Sequence, residues 1–338
     1  MIAFVTGGTG FLGRRLVRQL LDCGIKVRCL VRAGSDLSAL GRELPAPQAA
    51  RLATFAGCLE RPDAYGPALL GSDILFHVAA GLRGSVPSLF LSNVIGTREL
   101  IAQARRAKVS RLVLVSSIAV HGVSRLRRHS VVDESCPLDP EPHRRDAYTF
   151  SKIEQERVAW EAHHRGDVSL SVVRPGVIYG PGRDVLSSRV GLQLANVLIK
   201  MGNQRLPYTF VDNCAGAIVL AGTAPNAAGE AFNVIDDAPP TGSQLVAECR
   251  RRGKRLRVVR VPGPAIRPLS WVCEQYHRWS HGQLPAVLTP YKSAAQWKPL
   301  RYSNAKAKSI LGWQPRVGFE EGLRATLDFP KDGQLVAA

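Results

Sequence analysis

Short apolar runs alternate with amphipathic stretches through the first half of the chain. Apolar side chains recur at helical spacing over residues 11–23, where Gly24 ends the helix, and further helices are predicted over 89–108 and 147–164. The β-branched runs predict strands at 2–6, 27–31, 52–55, 74–78, 111–116 and 170–173. Because strands alternate with helices and are almost wholly apolar, we expect an α/β fold with a doubly wound parallel sheet covered on both faces.

The regularity of the pattern weakens after Pro181. We expect residues 182–207 to mix a helical stretch with polar turns, and residues 208–221 and 231–235 to rejoin the main body as strands and a helix. A final helix is predicted near 319–327. The chain is therefore expected to form a main domain over residues 1–181, rejoined by about 208–236, and a smaller lobe over 182–207 and 237–338.

A glycine-rich loop, Thr6-Gly-Gly-Thr-Gly-Phe-Leu-Gly13, follows the first predicted strand and opens the first predicted helix. Gly8, Gly10 and Gly13 fit G-x-G-x-x-G, while Gly7, Gly10 and Gly13 fit G-x-x-G-x-x-G. In either register, small residues let the backbone approach a pyrophosphate, which the N–H groups at the start of the helix then hold. The loop predicts a dinucleotide site in the main domain, with contacts from Gly7, Thr9, Gly10, Phe11, Leu12 and Gly13.

The end of the second predicted strand indicates which dinucleotide binds. An acidic residue there would accept the ribose hydroxyls of NAD, but the sequence reads Leu30-Val-Arg32-Ala-Gly-Ser35. A guanidinium grips a 2′-phosphate, so Arg32, helped by Ser35, favours NADP. NAD stays open, because an exposed arginine at the end of a strand needs no ligand.

Tyr148 and Lys152 stand four residues apart on a predicted helix, so both side chains project from one face. A free tyrosine, with a pKa of about 10, is a poor base at neutral pH, and a nearby ammonium lowers that pKa. Such a pair can pass a proton to or from a substrate oxygen while hydride moves to or from nicotinamide. Because Y-x-x-x-K alone is common on protein surfaces, two further residues matter. Ser117 follows a buried predicted strand, and Asn93 lies on the preceding predicted helix.

Composition narrows the class of partner. A net charge of +18 favours anionic molecules such as phosphorylated cofactors, and no zinc-finger or RNA-binding motif points to nucleic acid. The seven cysteines lack C-x-x-C spacing and the histidines lack H-E-x-x-H spacing, so we expect reduced thiols, a cytoplasmic protein and no metal site. No apolar run approaches the ~18 residues that span a bilayer, so we expect no integral membrane segment.

Residues 268–282 mix Leu, Trp, Tyr and basic side chains, and we expect a lid over a substrate pocket there, with peripheral membrane contact as the alternative.

Taken in order, these motifs and several others resemble those of the extended short-chain dehydrogenase/reductases, of the NAD(P)-dependent epimerase/dehydratase and 3β-hydroxysteroid dehydrogenase type. The resemblance covers nearly the whole chain and implies a Rossmann fold with a substrate-binding C-terminal lobe. The segments that carry it are residues 6–13, 77–80, 93–97, 116–122, 148–152, 174–182, 211–213 and 311–315.

The resemblance also implies a role for each matching residue. Tyr148 would be the general acid/base, and Lys152 would hold the nicotinamide ribose and tune the tyrosine. Ser117 would orient the substrate, and Asn93 would lie near the cofactor. Further cofactor contacts are expected from Leu59, Val78, Ala79, Ala80, Ser116, Pro175, Gly176 and Val177.

The chain departs from the family pattern at three places. Cys58 stands where many relatives have the aspartate that meets the adenine amino group, so that contact must come from the backbone or be missing. His121 replaces a tyrosine, and we interpret it as a structural histidine rather than a substrate contact. The segment Ser117-Ile-Ala119 lacks the acid that sugar dehydratases carry there, so dehydratase chemistry is not expected.

Three functions stay open at this stage. The preferred one is an NADP(H)-dependent ketoreductase or alcohol dehydrogenase acting on a small hydrophobic or amphipathic substrate. An NAD-dependent nucleotide-sugar epimerase would use the same residues, and Arg183 and Arg205 could hold its diphosphate. A non-catalytic, NADP-sensing protein is the third. In resembling proteins the helices near 89–108 and 147–164 pair between subunits, which implies a homodimer.

Overall fold

The computed structural model describes residues 1–37, 40, 44–281, 283 and 288–329. Its strands are β1 (Ile2–Thr6), β2 (Lys26–Val31), β3 (Leu52–Ala56), β4 (Ile74–His77), β5 (Arg111–Val115), β6 (Val131–Val132), β7 (Ser169–Pro175), β8 (Val177–Tyr179), β9 (Gly191–Leu194), β10 (Val197–Met201), β11 (Tyr208–Phe210), β12 (Glu230–Val234), β13 (Arg257–Val261) and β14 (Arg301–Tyr302). Its helices are α1 (Phe11–Asp22), α2 (Ala46–Ala49), α3 (Gly66–Leu69), α4 (Val86–Phe90), α5 (Gly96–Arg106), α6 (Ala147–His164), α7 (Val211–Thr223), α8 (Gly242–Arg251), α9 (Gly263–Trp279), α10 (Pro290–Trp297), α11 (Ala305–Leu311) and α12 (Phe319–Leu327).

A seven-stranded parallel sheet forms the centre of the molecule, in the order β3-β2-β1-β4-β5-β7-β12. The chain runs outward from β1 in one direction through β2 and β3, and in the other through β4, β5, β7 and β12. The predicted doubly wound parallel sheet is therefore confirmed.

Both faces of the sheet are covered, which explains why its strands are almost wholly apolar. Successive residues of β1 enter opposite cores, since side chains alternate along a strand. Val5 joins a cluster with residues of α1 and α7, whereas Phe4 joins a cluster with residues of α5 and α6. Both side chains are fully buried.

The predicted elements of the first half are present with boundaries shifted by a few residues, and α6 and α12 match the predicted ranges. The helix predicted over 89–108 is interrupted, because a π-helical turn at Leu91–Ile95 separates α4 from α5. The helical stretch predicted within 182–207 is wrong: β9 and β10 lie there as an antiparallel pair. Apolar runs this short are compatible with both the helical period of about 3.6 residues and the strand period of 2. A turn at Ala195 and Asn196 separates them into two strands.

The second half of the chain adds small sheets around the carboxyl end of the main one. Strand β10 pairs with both β9 and β13, while β11 pairs with β8 rather than joining the main sheet. The helix predicted after β11 is α7, which packs against α1, and β12 joins the main sheet beside β7 as expected. Residues 282, 284–287 and 330–338 of the expected lobe lie outside the described residues.

None of the helices that the structure describes has both the length and the apolar character needed to cross a bilayer.

The β9–β10 turn gives a test of the corrected fold. Ala195 is exposed and has φ +50°, a left-handed conformation that favours glycine. We expect Ala195→Gly to raise the free energy of unfolding by about 0.5–1 kcal/mol, measured by urea denaturation. The control Ala102→Gly, in the middle of α5, should lower it by about 1 kcal/mol. Destabilisation by Ala195→Gly would mean that the segment is helical after all.

Candidate active site

The predicted site residues gather at the carboxyl edge of the main sheet. Because the strands are parallel, the loops that follow them all emerge on this edge. The glycine loop follows β1, residues 78–81 follow β4, and Ser116 and Ser117 follow β5. The sheet order reverses between β1 and β4, and in such sheets ligands bind at this point.

The glycine loop lies against the loop that follows β4 with no room for side chains. Gly7 has φ +74°, and a Cβ on it would stand 2.7 Å from the Ala79 nitrogen. A Cβ on Gly13 would stand 1.9 Å from the Gly7 oxygen, which also accepts a 3.0 Å hydrogen bond from Gly10 N–H. Helix α1 begins at Phe11 without a side-chain cap, so the N–H groups of its first turn are left for an anion. This cradle fits a pyrophosphate.

Thr6, the last residue of β1, fixes the loop that is expected to line the adenosine side. Its Oγ1 accepts a 3.3 Å hydrogen bond from Ala79 N–H and shares one of 2.7 Å with His77 Nδ1. Its carbonyl oxygen accepts from Val78 N–H at 3.3 Å. Val78, Ala79 and Ala80 are each partly exposed beside the glycine loop, where a ligand could touch them.

Two arginines flank the loop that follows β2. Arg32 is exposed, and its carbonyl accepts a 3.0 Å hydrogen bond from the N–H of half-buried Ser35, which turns the loop back. Arg14 lies in the first turn of α1; burial lowers its pKa, and the Asp36 carboxylate opposes that shift. Arg14 therefore interacts electrostatically with the same loop. The sequence analysis missed Arg14, although its place directly after Gly13 was a usable signal.

Tyr148 lies in the first turn of α6, which Asp146 caps. Burial raises the pKa of its hydroxyl to about 12, against the lowering effects of a hydrogen bond with Ser117 and of the Arg183 cation. The Arg183 guanidinium lies 5.3 Å from the centroid of the Phe11 ring, at the start of α1. The structure thus brings Tyr148 and Ser117 together beside the glycine loop, and the tyrosine is protonated at neutral pH.

Lys152 is buried one turn further along α6, and its amine forms hydrogen bonds inside the protein. Its Nζ donates to the Val115 carbonyl and to Gln155 Oε1, both at 2.8 Å. Burial lowers its pKa from 10.5 to about 7, although Glu156 acts in the opposite direction. Our expectation that this amine lowers the pKa of Tyr148 is not met, since that pKa is raised and Arg183 is the cation that opposes the rise.

A chain of buried hydrogen bonds connects the lysine to the end of β1. Gln155 Nε2 donates to Thr97 Oγ1 at 2.8 Å, and Thr97 Oγ1 donates to the Asn93 carbonyl at 2.6 Å. His77 Nε2 lies 2.7 Å from the same Thr97 oxygen. Burial and the nearby lysine lower the pKa of His77 to about 3, so the ring is neutral. The sequence analysis did not assign His77 or Gln155 to the site, and the i, i+3 spacing of Gln155 after the lysine was the one available signal.

Asn93 holds two parts of the site together. The π-helical turn Leu91–Ile95 carries this fully buried residue. Its Oδ1 accepts from Gly81 N–H at 2.7 Å, and its Nδ2 donates to the Gly81 carbonyl at 3.0 Å and to Ser151 Oγ at 2.9 Å. Ser151 Oγ in turn donates to the Tyr148 carbonyl at 2.8 Å. Asn93 therefore ties the loop after β4 to the helix that bears the tyrosine.

The two adjacent serines after β5 have different partners. Ser117 is partly exposed and bonds Tyr148, whereas Ser116 is buried and donates to Glu156 Oε2 at 2.5 Å. The same carboxylate forms a buried ion pair with Arg174. The preference for Ser117 over Ser116 as the substrate-orienting hydroxyl agrees with this placement.

The other expected cofactor contacts lie at two places on the same edge. Pro175 ends β7 and Val177 begins β8, and a Cβ on Gly176 between them would stand 2.2 Å from the Pro207 oxygen. Leu59 is half-buried in the loop after β3, beside the start of α5. These segments follow β7 and β3, which lie on opposite sides of β1, so they flank the glycine loop at the carboxyl edge of the sheet.

His121 does not face the site. Its ring is fully buried, with Nδ1 2.9 Å from the Cys136 carbonyl and Nε2 3.0 Å from Asn233 Oδ1. Both ring nitrogens are thus engaged, and the interpretation of His121 as a structural histidine is confirmed.

Curated relatives match the chain over nearly its full length. A ketoreductase of 4-hydroxy-2-methyl-3-oxo-4-farnesyl-3,4-dihydroquinoline-1-oxide from Stigmatella aurantiaca is 29% identical, covering 99% of this chain and 98% of that protein. A 2-alkyl-3-oxoalkanoate reductase from Stenotrophomonas maltophilia strain K279a is 30% identical, covering 96% of this chain and 98% of that protein. Among solved structures, gox2253 superposes with a TM-score of 0.79 at 27% identity, covering 96% of each chain.

The model of the NAD dependent epimerase/dehydratase family matches residues 3–234, which is more than half of the chain. The match begins in β1 and ends at β12, so it spans the whole parallel sheet together with the glycine loop, Tyr148 and Lys152. The resemblance inferred from the motifs is therefore confirmed. The chain belongs to the NAD-dependent epimerase/dehydratase family and is an NAD(P)-dependent oxidoreductase of the extended short-chain dehydrogenase/reductase type.

Proposed function

We propose that the protein is an NADP(H)-dependent ketoreductase that reduces the carbonyl group of a small hydrophobic or amphipathic substrate. The observation that carries the proposal is the placement of the Tyr148 hydroxyl beside Ser117 at the carboxyl edge of the sheet. Reduction of a carbonyl requires a proton donor, and a tyrosine with a pKa of about 12 is in its donor form at neutral pH.

The residues divide the chemistry between them. When bound, a reduced nicotinamide coenzyme supplies the hydride to the carbonyl carbon. Ser117 donates a hydrogen bond that positions the carbonyl oxygen, and Tyr148 gives its proton to that oxygen as negative charge develops there. Arg183 stabilises the tyrosinate that remains, since its cation already favours the ionised form. Lys152, held by Val115 and Gln155, would donate to the nicotinamide ribose in place of one of these partners.

Arg32 supports NADP as the preferred coenzyme. Residues 32–35, directly after β2, carry no carboxylate to bond the ribose hydroxyls of NAD. The Asp36 carboxylate that follows interacts with Arg14, a second cation beside the same loop. The glycine loop would hold the pyrophosphate, and the two arginines would hold the 2′-phosphate. The region after Tyr179 would form the substrate-binding lobe, with Val177 and Gly176 at the boundary.

Two relatives support a lipophilic ketone as substrate, since their names describe a farnesylated quinoline oxide and an alkylated oxoalkanoate. A panel of ketones, steroids and nucleotide sugars, read by the absorbance of the reduced coenzyme, tests this choice. Consumption of NADPH with ketones supports the proposal. Tightly held NAD in the purified protein together with turnover of nucleotide sugars would favour the epimerase instead.

A cytoplasmic homodimer accompanies the proposal. All seven cysteines are free thiols, as a reducing compartment requires. Leu91 and Ile95 are exposed on the segment between α4 and α5, and Phe90 packs edge-on against Phe150 of α6 at 4.7 Å between ring centroids. This mixed apolar surface is the one through which two copies would pair.

Removal of the Tyr148 hydroxyl tests the general acid. We expect Tyr148→Phe to lower kcat for ketone reduction by about 10²–10⁴-fold, because the proton donor is lost, while the Kd for NADPH changes by less than about twofold. Stopped-flow absorbance and fluorescence titration measure the two quantities. Tyr276→Phe, which removes a hydroxyl from an exposed ring of α9, serves as the control and should keep full activity. A Tyr148→Phe enzyme within about tenfold of the original rate would contradict the assignment.

Reversal of charge at Arg32 tests the coenzyme preference. We expect Arg32→Asp to lower the ratio of kcat/KM for NADPH to that for NADH by about tenfold or more, because a charge-assisted bond to the 2′-phosphate is replaced by repulsion. Arg106→Asp, an equally exposed change at the end of α5, should leave the ratio unchanged. If both variants keep the original ratio, Arg32 does not hold a phosphate.

The pKa of Lys152 gives a pH-dependent prediction. Its pKa is about 7 in the folded protein and near 10.5 when exposed, so between these values the unfolded chain binds more protons and stability rises with pH. The free energy of unfolding, relative to that of Lys152→Met, should therefore rise by about 2 kcal/mol from pH 7 to pH 9. Urea denaturation of both proteins at each pH measures the difference. A constant difference would mean that the buried amine keeps an ordinary pKa.

A further inference from the structure

Helix α9 buries one narrow face and leaves a wide apolar face uncovered. Ile266 and Ser270 are buried, and Ser270 Oγ bonds the Ser293 hydroxyl of α10. The two helices pack together through this face. Cys273 is half-buried on the same side, against the cluster that contains Ile266, whereas Trp271, Val272, Tyr276 and Trp279 are exposed.

The exposed apolar side chains of α9 form a continuous row. Leu269, Val272, Tyr276 and Trp279 follow one another at spacings of three and four residues, which places them on one face of the helix. Their exposed fractions are 39%, 54%, 55% and 75%, and the Tyr276 and Trp279 rings stack at 5.7 Å between centroids. Trp271 is 57% exposed next to this row. Two tryptophans and a tyrosine exposed together on one helix make a larger apolar surface than isolated side chains do.

Positive charge surrounds the beginning of the same helix. Arg260 precedes α9 by three residues and Arg267 lies in its second turn, both exposed. Arg128, also exposed, reaches to 3.8 Å from the position that a Cβ on Gly263 would take. None of these three arginines forms an ion pair with a carboxylate in the described part of the chain. On α9 itself, Arg278 forms an ion pair with Glu274 at 3.2 Å.

We propose that α9 docks the protein on the surface of an anionic lipid bilayer, with the row of Leu269, Val272, Tyr276 and Trp279 inserted at the headgroup level. Tryptophan and tyrosine rings favour this region, because they are apolar over most of their surface and polar at one end. The unpaired arginines are attracted to anionic headgroups.

A lipid surface accounts for these features better than a second copy of the chain. A second copy of the chain would supply another apolar row, but it carries the same net charge of +18 and the same basic rim rather than negative charge for these arginines. A bilayer supplies both the apolar layer for the aromatic row and the negative charge for the basic rim. Helix α9, like the other described helices, is not both long and apolar enough to span the bilayer, so the contact is confined to one surface.

The proposal is independent of the reaction at Tyr148, and it also suits that reaction. A lipophilic ketone partitions into membranes, so an enzyme held at the bilayer meets its substrate at high local concentration. A protein with no reductase activity could still bind vesicles, and a reductase could fail to bind them. The two proposals can therefore fail separately.

Sedimentation with lipid vesicles tests the docking. The full-length protein is mixed with sucrose-loaded vesicles of phosphatidylcholine alone, or of phosphatidylcholine with 30% phosphatidylglycerol, a composition of about one anionic lipid in three. We expect binding to the anionic vesicles, a blue shift of tryptophan fluorescence on binding, and partial release by about 0.5 M salt. Binding to neither vesicle would overturn the proposal.

A triple variant shows whether α9 is the docking surface. Val272→Ser, Tyr276→Ser and Trp279→Ser together should lower the partition coefficient on anionic vesicles by about tenfold or more, because most of the inserted apolar surface is lost. The matched control replaces two exposed apolar residues elsewhere, Leu70→Ser with Leu194→Ser, and should bind as the original does. Circular dichroism and thermal melting check that each variant folds.

Two other results would contradict the proposal. Equal binding by the triple variant and the original would place the lipid contact elsewhere on the basic surface. If neither protein binds vesicles, and sedimentation velocity shows that only the triple variant loses self-association, then the row is a contact between two copies of the chain.

Discussion

The site depends on the hydrogen bond between Thr6 and His77, which joins β1 to β4 at the point where the sheet order reverses. Thr6 Oγ1 also accepts from Ala79 N–H, so the same side chain contacts both the histidine and the loop after β4. On the other side of the ring, His77 Nε2 lies 2.7 Å from Thr97 Oγ1 and 3.2 Å from Gln155 Nε2. Both ring nitrogens of His77 are thus engaged in the buried network.

This network explains how a neutral histidine can sit beside a buried lysine. Burial and the nearby Lys152 both lower the pKa of His77, to about 3, so the ring is neutral. The lysine is neutral in about half of the molecules near its pKa of about 7, which limits the energetic penalty of burying it. A ribose hydroxyl of a bound coenzyme would offer the Lys152 ammonium a further hydrogen bond. That bond would compete with those to the Val115 carbonyl and to Gln155. The glycine loop and Lys152 of α6 would therefore bind the same coenzyme.

Much of the fold could be predicted from the sequence, because the central strands are apolar on both faces and the glycine loop marks where β1 ends. Tyr148 and Ser117 could also be placed together, since both follow elements with clear periodicity. The hairpin at Ala195 could not, because an exposed alanine with positive φ leaves no local signal and the flanking apolar runs fit either period. Nor could the pKa of Tyr148, since Arg183 and the tyrosine are 35 positions apart in the chain and burial depends on packing.

The π-helical turn between α4 and α5 shows how an irregularity can serve the site. In a regular α-helix over the predicted range, Asn93 would point in the direction set by about 3.6 residues per turn. The π turn adds one residue to that turn and so changes the direction in which the Asn93 side chain points. Asn93 then reaches Gly81 on one side and Ser151 on the other, and Ser151 bonds the backbone of Tyr148. The loop after β4, where the adenosine side of a dinucleotide would lie, is thereby connected to the backbone of Tyr148 through two side chains. The hydrogen bonds of Asn93 therefore help to fix the position of Tyr148 at the start of α6.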